Sequence, residues 1–365
     1  MAELLKHVYS KKFIADLSSV FSKHTKHFDV EKFEPLVFGG GWDSLELKAR
    51  MRRITESLQR CLTQDFEKDV KVLLDVAKSL REDVNRGFEY MLFPDFVERF
   101  GQEHFDLSVN ALGKLTKLAS SEFAVRPFIL ARPQQMMDRM FFWAKSTDED
   151  VRRLASEGCR PRLPWAMALP IFKNKPTPIL RILEQLKNDP SLYVRRSVAN
   201  NLNDISKDHP AVVVNMAQRW LGNSDNTDWV VKHALRGLLK NAHPEALKLF
   251  GYGDISHINV CALKVDKSVS FGAYLPFSFE LKTSTESIGN LRIEYAIDYM
   301  KANGKRARKI FKVSESNYQQ PHKLFQRKHA FKAISTRKHY AGQHGFALLL
   351  NGTEVADQLF ELTGL

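Results

Sequence analysis

A repeated pentapeptide constrains this chain more than any other feature. Val151-Arg152-Arg153-Leu154-Ala155 returns as Val194-Arg195-Arg196-Ser197-Val198 and again as Val231-Lys232-His233-Ala234-Leu235, at steps of 43 and 37 residues. A weaker copy is Val125-Arg126-Pro127-Phe128-Ile129. Steps of that size are those of HEAT and armadillo helix pairs, which stack into solenoids because no single pair buries its own apolar face. Each strong copy follows a short polar cluster, Ser146-Thr147-Asp148, Asn188-Asp189-Pro190 or Asn226-Thr227-Asp228, which suits helix N-caps. Apolar residues up to about position 250 recur at three- and four-residue steps, as in Val70-Leu73-Leu74-Ala77-Leu80 and Val194-Val198-Leu202-Ile205. A non-repetitive helical bundle is the competing arrangement.

After Tyr252-Gly253-Asp254 the period becomes two. Leu291, Ile293, Tyr295, Ile297 and Tyr299 alternate and run to Asn303-Gly304, while Gly345 to Leu350 runs into Asn351-Gly352; both pairs are hairpin-turn signals. Strands are also expected at His257–Val265, Leu275–Thr283 and Glu354–Leu362. About seven short strands in this length suit an immunoglobulin-like sandwich. The sequence therefore predicts a mainly α chain: a HEAT-like helical-repeat solenoid over 1–253, followed by a small all-β immunoglobulin-like sandwich over 254–365. Lys305 to Lys309 and Lys323 to His339 are expected to be basic loops or strand ends.

Three cysteines, Cys61, Cys159 and Cys261, stand far apart with no CxxC pairing, which points to a reduced, intracellular protein. No apolar run approaches the roughly 20 residues of a membrane span, and Met1 to Ser10 lacks the apolar centre of a secretory signal. The net charge of +13 favours a polyanionic partner, nucleic acid before membrane. Residues 254–365 hold 16 basic and 10 acidic side chains, a net +6, and the rest of the chain carries the other +7, so both halves are basic. Stacking of the repeats is expected to align Arg152/Arg153, Arg195/Arg196 and Lys232/His233 as a row of cations on a concave face, which suits a phosphate backbone. Ordinary pairing on a solvated helix, such as Arg153 with Glu157, is the competing account for any one of them.

Familiar catalytic signatures are missing. There is no GxxxxGK[ST], no HExxH and no GxSxG, and His24 and His27 lack carboxylate companions at zinc-site spacing, so no metal or cofactor is expected. What remains is acidic. Arg196, Asn200 and Asp204 fall on one helical stripe opposite Val194, Val198 and Leu202, which would aim Asp204 at the groove. Glu157 holds the matching place one repeat earlier, and Glu122 precedes it. A carboxylate in a phosphate-binding groove is repelled by its ligand, so its presence calls for a reason, either pairing with the neighbouring arginines or chemistry.

Ser121-Glu122-Phe123-Ala124-Val125-Arg126-Pro127, Ser156-Glu157-Gly158-Cys159-Arg160-Pro161-Arg162-Leu163-Pro164-Trp165 and Asn200-Asn201-Leu202-Asn203-Asp204 resemble the AlkC/AlkD superfamily of bacterial alkylpurine DNA glycosylases. The C-terminal sandwich points to the AlkC branch. The resemblance implies a monofunctional glycosylase that excises cationic bases, N3-methyladenine and also N3-methylcytosine, from duplex DNA in base excision repair. Such an enzyme is expected in the bacterial cytoplasm, at the nucleoid, and as a monomer, since a solenoid that clamps DNA has no need of a partner. Glu122, Glu157 and Asp204 would be its acidic cluster with Trp165 beside them. Read from the stacked repeats and the basic turn after Glu157, the expected phosphate contacts are Arg152, Arg153, Arg160, Arg162, Arg195, Arg196 and Lys232. The resemblance further implies that the solenoid grips and bends the duplex instead of depending on a deep base pocket; the +6 balance of the sandwich suggests that this second domain completes a clamp. A non-catalytic helical-repeat protein that binds nucleic acid or scaffolds other proteins is the alternative.

Overall fold

The structure, a computed structural model, describes residues 5–83, 87–333 and 337–364. It divides into two compact units: residues up to Asp208 together with Leu221–Ala234, and His209–Trp220 together with the chain from Leu235 onward.

The first unit is built of helices: α1 (Lys11–His24), α2 (Val30–Phe38), α3 (Leu47–Cys61), α4 (Phe66–Asp83), α5 (Leu92–Phe100), α6 (Phe105–Leu115), α7 (Val125–Ala131), α8 (Pro133–Trp143), α9 (Glu149–Glu157), α10 (Pro170–Asn174), α11 (Thr177–Leu186) and α12 (Leu192–Ile205). Two more follow in the chain, α13 (Pro210–Trp220), which belongs to the second unit, and α14 (Asp225–Ala234), which belongs to the first. The three strong copies of the pentapeptide lie in or at the end of α9, α12 and α14, and these pack in succession, α9 on α12 and α12 on α14. The repeat valines Val151, Val194 and Val231 are buried, with Leu154, Val198, Leu202 and Ala234 on the same faces. This periodic burial, a turn apart along each helix, is what makes the stacked helical-repeat architecture.

The caps follow the sequence in two copies and depart from it in the third. Asp148 caps α9, accepting from the backbone N–H of Asp150 and Val151. Asp189 accepts from Ser191 N–H at 2.8 Å just ahead of α12. Before α14 the Ser224 hydroxyl takes the Thr227 N–H, so the helix opens at Asp225 and Asn226 to Asp228 lie inside it. Gly158, after the last residue of α9, is required by packing: a Cβ there would stand 2.7 Å from Val125 Cγ2, on α7.

In the second unit α13 is joined by α15 (Arg236–Lys240) and α16 (Pro244–Lys248), and then by eight strands: β1 (Ile258–Val265), β2 (Ser268–Ser270), β3 (Tyr274–Thr283), β4 (Gly289–Met300), β5 (Arg306–Tyr318), β6 (His322–Ala330), β7 (Gly342–Leu350) and β8 (Thr353–Thr363). They form two sheets, ordered β1-β3-β6 and β2-β8-β7-β4-β5. Phe277, Phe279 and Leu281 of β3 meet Leu291, Ile293 and Ile297 of β4 in the core between them. The expected β4 alternation is present, yet Arg292, Glu294 and Ala296 on its other face are buried as well. Ala296, Ala347 and Leu349 are covered by Leu239, Ala242, Leu247 and Tyr252, so the compact unit that holds the sandwich takes in chain from before the change of period. Asn351 (φ +46°) and Gly352 (φ +79°) form the tight turn between β7 and β8, where two successive positive φ angles favour this pair. The basic stretches are more regular than expected. Arg306 to Lys309 open β5, Lys323 to Ala330 lie in β6, and 334–336 of the second stretch fall outside the described residues.

Candidate functional site

Where α9 ends and meets α12, five charged side chains form one alternating row. Arg153 Nη1 donates to Glu122 Oε2 at 2.5 Å, and Nη2 lies 3.7 Å from Glu157. Glu157 accepts from Arg160 Nη1 at 2.6 Å, and Arg160 Nε donates to Asp204 Oδ2 at 2.9 Å. Glu122, Glu157 and Asp204 are thus joined through two guanidinium groups, with Lys207 Nζ 3.1 Å from the outer Asp204 oxygen. Glu157, Arg160 and Asp204 are all under a tenth exposed. Burial works against the charge on Arg153 and Arg160, but the carboxylates on either side outweigh it and raise both further above the usual arginine range.

The helical wheel placed Asp204 on an open stripe with Arg196 and Asn200. It lies instead with the buried polar side of α12, alongside Ser197 and Asn201, and is 2% exposed. Those neighbours tie α12 to α9: the Ser197 hydroxyl bonds that of Ser156 at 2.6 Å, and Asn201 Nδ2 donates to the Ser156 carbonyl at 2.7 Å. The α9–α12 contact therefore pulls Asp204 inward, toward Arg160.

The chain from Gly158 to Met167 connects the acidic row to Trp165. Arg126, fully buried on α7, secures it by donating to the carbonyls of Gly158, Arg160 and Met167 at 3.0, 2.9 and 2.7 Å. Burial lowers its pKa to about 10. Trp165 is 63% exposed, so it is no core residue, and its ring meets Phe88 edge to face with centroids 6.1 Å apart. Phe88, Ser120, Glu122, Asp150, Arg153 and Tyr193 line an open cleft of about 450 Å³. Tyr193 stacks under Arg153, 4.6 Å from guanidinium carbon to ring centroid, and Ser120 bonds both Glu122 and Arg153. Phe88, Ser120 and Tyr193 carry no sequence signal of their own. Tyr193 sits one position before the repeat valine of α12, the only pointer to it.

Most of the cations expected to line a phosphate-binding row have partners within the chain. Arg152 Nη1 donates to the carbonyls of Ser146 and Thr147, and Arg195 Nη1 donates to the carbonyls of Asp189 and Pro190. The first arginine of the pentapeptide thus does the same work in two repeats: it staples the turn five and six residues before it. Arg152 also holds Asp189 of the next repeat through two bonds of 2.6 and 3.0 Å. Arg153 and Arg160 belong to the acidic row, and Arg162 is paired with Asp208 at 2.6 Å. Arg196 and Lys232 remain exposed, with no ion pair among the described residues. Among those residues there is also no group of three or more His, Cys, Asp or Glu side chains placed to hold a metal ion, and no helix long and apolar enough to cross a membrane.

Comparison with known proteins gives this geometry its context. The structure superposes on that of Pseudomonas fluorescens alkylpurine DNA glycosylase AlkC, bound to DNA containing an abasic site analogue, with a TM-score of 0.86, 34% identity and 99% of each chain covered. The chain belongs to the AlkC family. It is also 42% identical over 357 residues to the uncharacterised protein YhaZ of Bacillus subtilis (strain 168), covering 97% of this chain and 98% of that one. Residues 259–364 match the family described as the C-terminal immunoglobulin-like domain of YhaZ. The AlkC architecture of helical repeats followed by a sandwich is therefore present from end to end.

Proposed function

We propose that this AlkC-family protein is a monofunctional DNA glycosylase that removes cationic alkylated bases, N3-methyladenine and N3-methylcytosine, from duplex DNA. The observation that carries the reading is the row Glu122–Arg153–Glu157–Arg160–Asp204, three carboxylates against two guanidiniums, one end of which opens on an aromatic cleft. A base that already bears positive charge leaves readily, so the barrier lies in the cation that develops on deoxyribose. A carboxylate fixed beside that sugar lowers the barrier, and does so most where water is excluded. Glu122 lines the cleft and Glu157 adds to the field; Asp204 would hold and deprotonate the attacking water in place of Lys207, whose half-exposed ammonium now sits at its Oδ1. Trp165 offers its ring face to the cationic base or sugar, a contact worth roughly 0.5–2 kcal/mol.

Arg196 and Lys232, with Arg162, are the cations we assign to phosphate; Arg152, Arg153, Arg160 and Arg195 support them by fixing the fold. The working division is a glycosylase domain over 1–253 and an immunoglobulin-like domain over 254–365, acting as a monomer on cytoplasmic, nucleoid DNA.

The test is base release from methylated duplexes by the native chain and by Asp204→Asn. The expected result is release of N3-methyladenine by the native chain and a loss of about 10²–10³-fold in the variant with DNA binding kept. No release by the native chain would leave a non-catalytic DNA-binding repeat protein as the better account. Release that survives in Asp204→Asn and is lost in Glu122→Gln would move the central role to the carboxylate at the cleft.

A further inference from the structure

Trp165 stands in a conformation that its own side chain does not favour. Its φ is +63°, in the left-handed region, where a residue with a Cβ pays about 1–2 kcal/mol. With 63% of its surface exposed, burial of the indole returns little of that cost. A strained residue of this kind persists only where its surroundings over-determine it. Two side chains from distant parts of the sequence hold its segment. One is Arg126, at the Met167 carbonyl. The other is Lys48, in the first turn of α3, whose Nζ donates to the Trp165 carbonyl itself at 2.8 Å across 117 positions.

Lys48 is itself held in place. Its ammonium lies 4.9 Å from the centroid of the Phe123 ring, next in sequence to Glu122. Its side chain also lines a cavity of about 40 Å³ with Arg52, Asp95, Glu98 and Ser120. Arg52 pairs with Asp95 at 2.9 Å and lies 3.3 Å from Glu98, so two acids face one guanidinium, and a second cation is favoured beside them. Ser120, on the same wall, bonds Glu122 and Arg153 of the acidic row. Lys48 therefore stands where the wall behind the acidic row meets the loop that carries the exposed indole.

We infer that Lys48 is a positioning residue for the glycosylase reaction: by holding the Trp165 carbonyl it keeps the segment in its left-handed turn and presents the indole against Phe88. The inference rests on the role proposed above for the Trp165 ring. Without Lys48 the segment is free to relax to negative φ, which swings the ring away from the position where it meets the sugar or base. Binding of the duplex, which depends on phosphate contacts elsewhere, changes little.

Four proteins test this: native, Lys48→Met, Trp165→Ala and the double variant, with Lys48→Arg as the conservative control. Base release is measured under single turnover on methylated duplex, and affinity is measured for a duplex holding a stable abasic-site analogue. Lys48→Met is expected to slow release about tenfold, the loss typical of one charge-assisted hydrogen bond, while affinity stays within about twofold. In the Trp165→Ala background the same change is expected to add nothing, because the ring it positions is gone. Lys48→Arg is expected to recover most of the rate. Release by Lys48→Met within twofold of native would overturn the inference. So would rate losses that multiply in the double variant, or a drop in affinity with a shallower salt dependence, which would make Lys48 a direct phosphate contact. A native chain that releases no base would instead sink the proposed function, and a Trp165→Ala variant that works at the native rate would remove the role given to the ring.

Discussion

Replacing Arg160 with methionine separates two accounts of the same residue. In the sequence it is one of several cations suited to phosphate; in the structure it lies between Glu157 at 2.6 Å and Asp204 at 2.9 Å and is 8% exposed. Methionine keeps an unbranched apolar stem and removes the guanidinium with its charge, leaving two buried carboxylates without their shared partner. Removing one member of a buried ion pair costs about 3–5 kcal/mol, largely because the charge left behind remains desolvated. The cost here belongs at the lower end, about 3 kcal/mol, because Glu157 keeps Arg153 at 3.7 Å and Asp204 keeps Lys207 at 3.1 Å. Urea unfolding followed by helical circular dichroism reads the loss. A loss of stability below about 1 kcal/mol, together with weaker DNA binding and a salt-dependence slope reduced by about one, would refute the argument and return Arg160 to the phosphate-binding set.

Two further outcomes follow from the same structure. In the sandwich His329 is bonded to the hydroxyls of Tyr295 and Tyr299 at 2.8 and 2.7 Å, and burial, helped by Arg337, lowers its pKa to about 4. The unfolded chain binds this proton first, so the stability that His329 contributes, about 3 kcal/mol, is full above pH 6.5 and is lost as pH falls toward 4. Melting of the second unit across that range should show the loss, and His329→Gln should flatten it. Trp165→Gly relieves the positive φ and adds chain entropy, so its melting temperature should imply stability within about 1 kcal/mol of native while base release falls. A large destabilisation would mean that the indole serves the fold.

Much of the architecture is written in local pattern. The valines at 151, 194 and 231, the turn to period two after Tyr252 and the Asn351-Gly352 pair each declare their element through neighbours a few residues away, because periodicity and φ preference are local properties. Glu122, Glu157 and Asp204 stood out as a set only through the family motifs that contain them. What the pattern did not contain is the partner of each charge. Arg152 and Arg195 read as phosphate ligands until the folded chain shows them stapling their own turns, and Asp204 reads as solvent-facing until α9 packs against α12 and draws it toward Arg160. Nor does any spacing connect Lys48, Phe88 or Tyr193 to residues that lie tens of positions away. A helical wheel fixes a direction around one axis, whereas the pairing of a charge depends on distance to groups brought near by other helices. For that reason the sequence by itself determined the repeats and the sandwich, and only the tertiary structure decided which charged side chains pair with which.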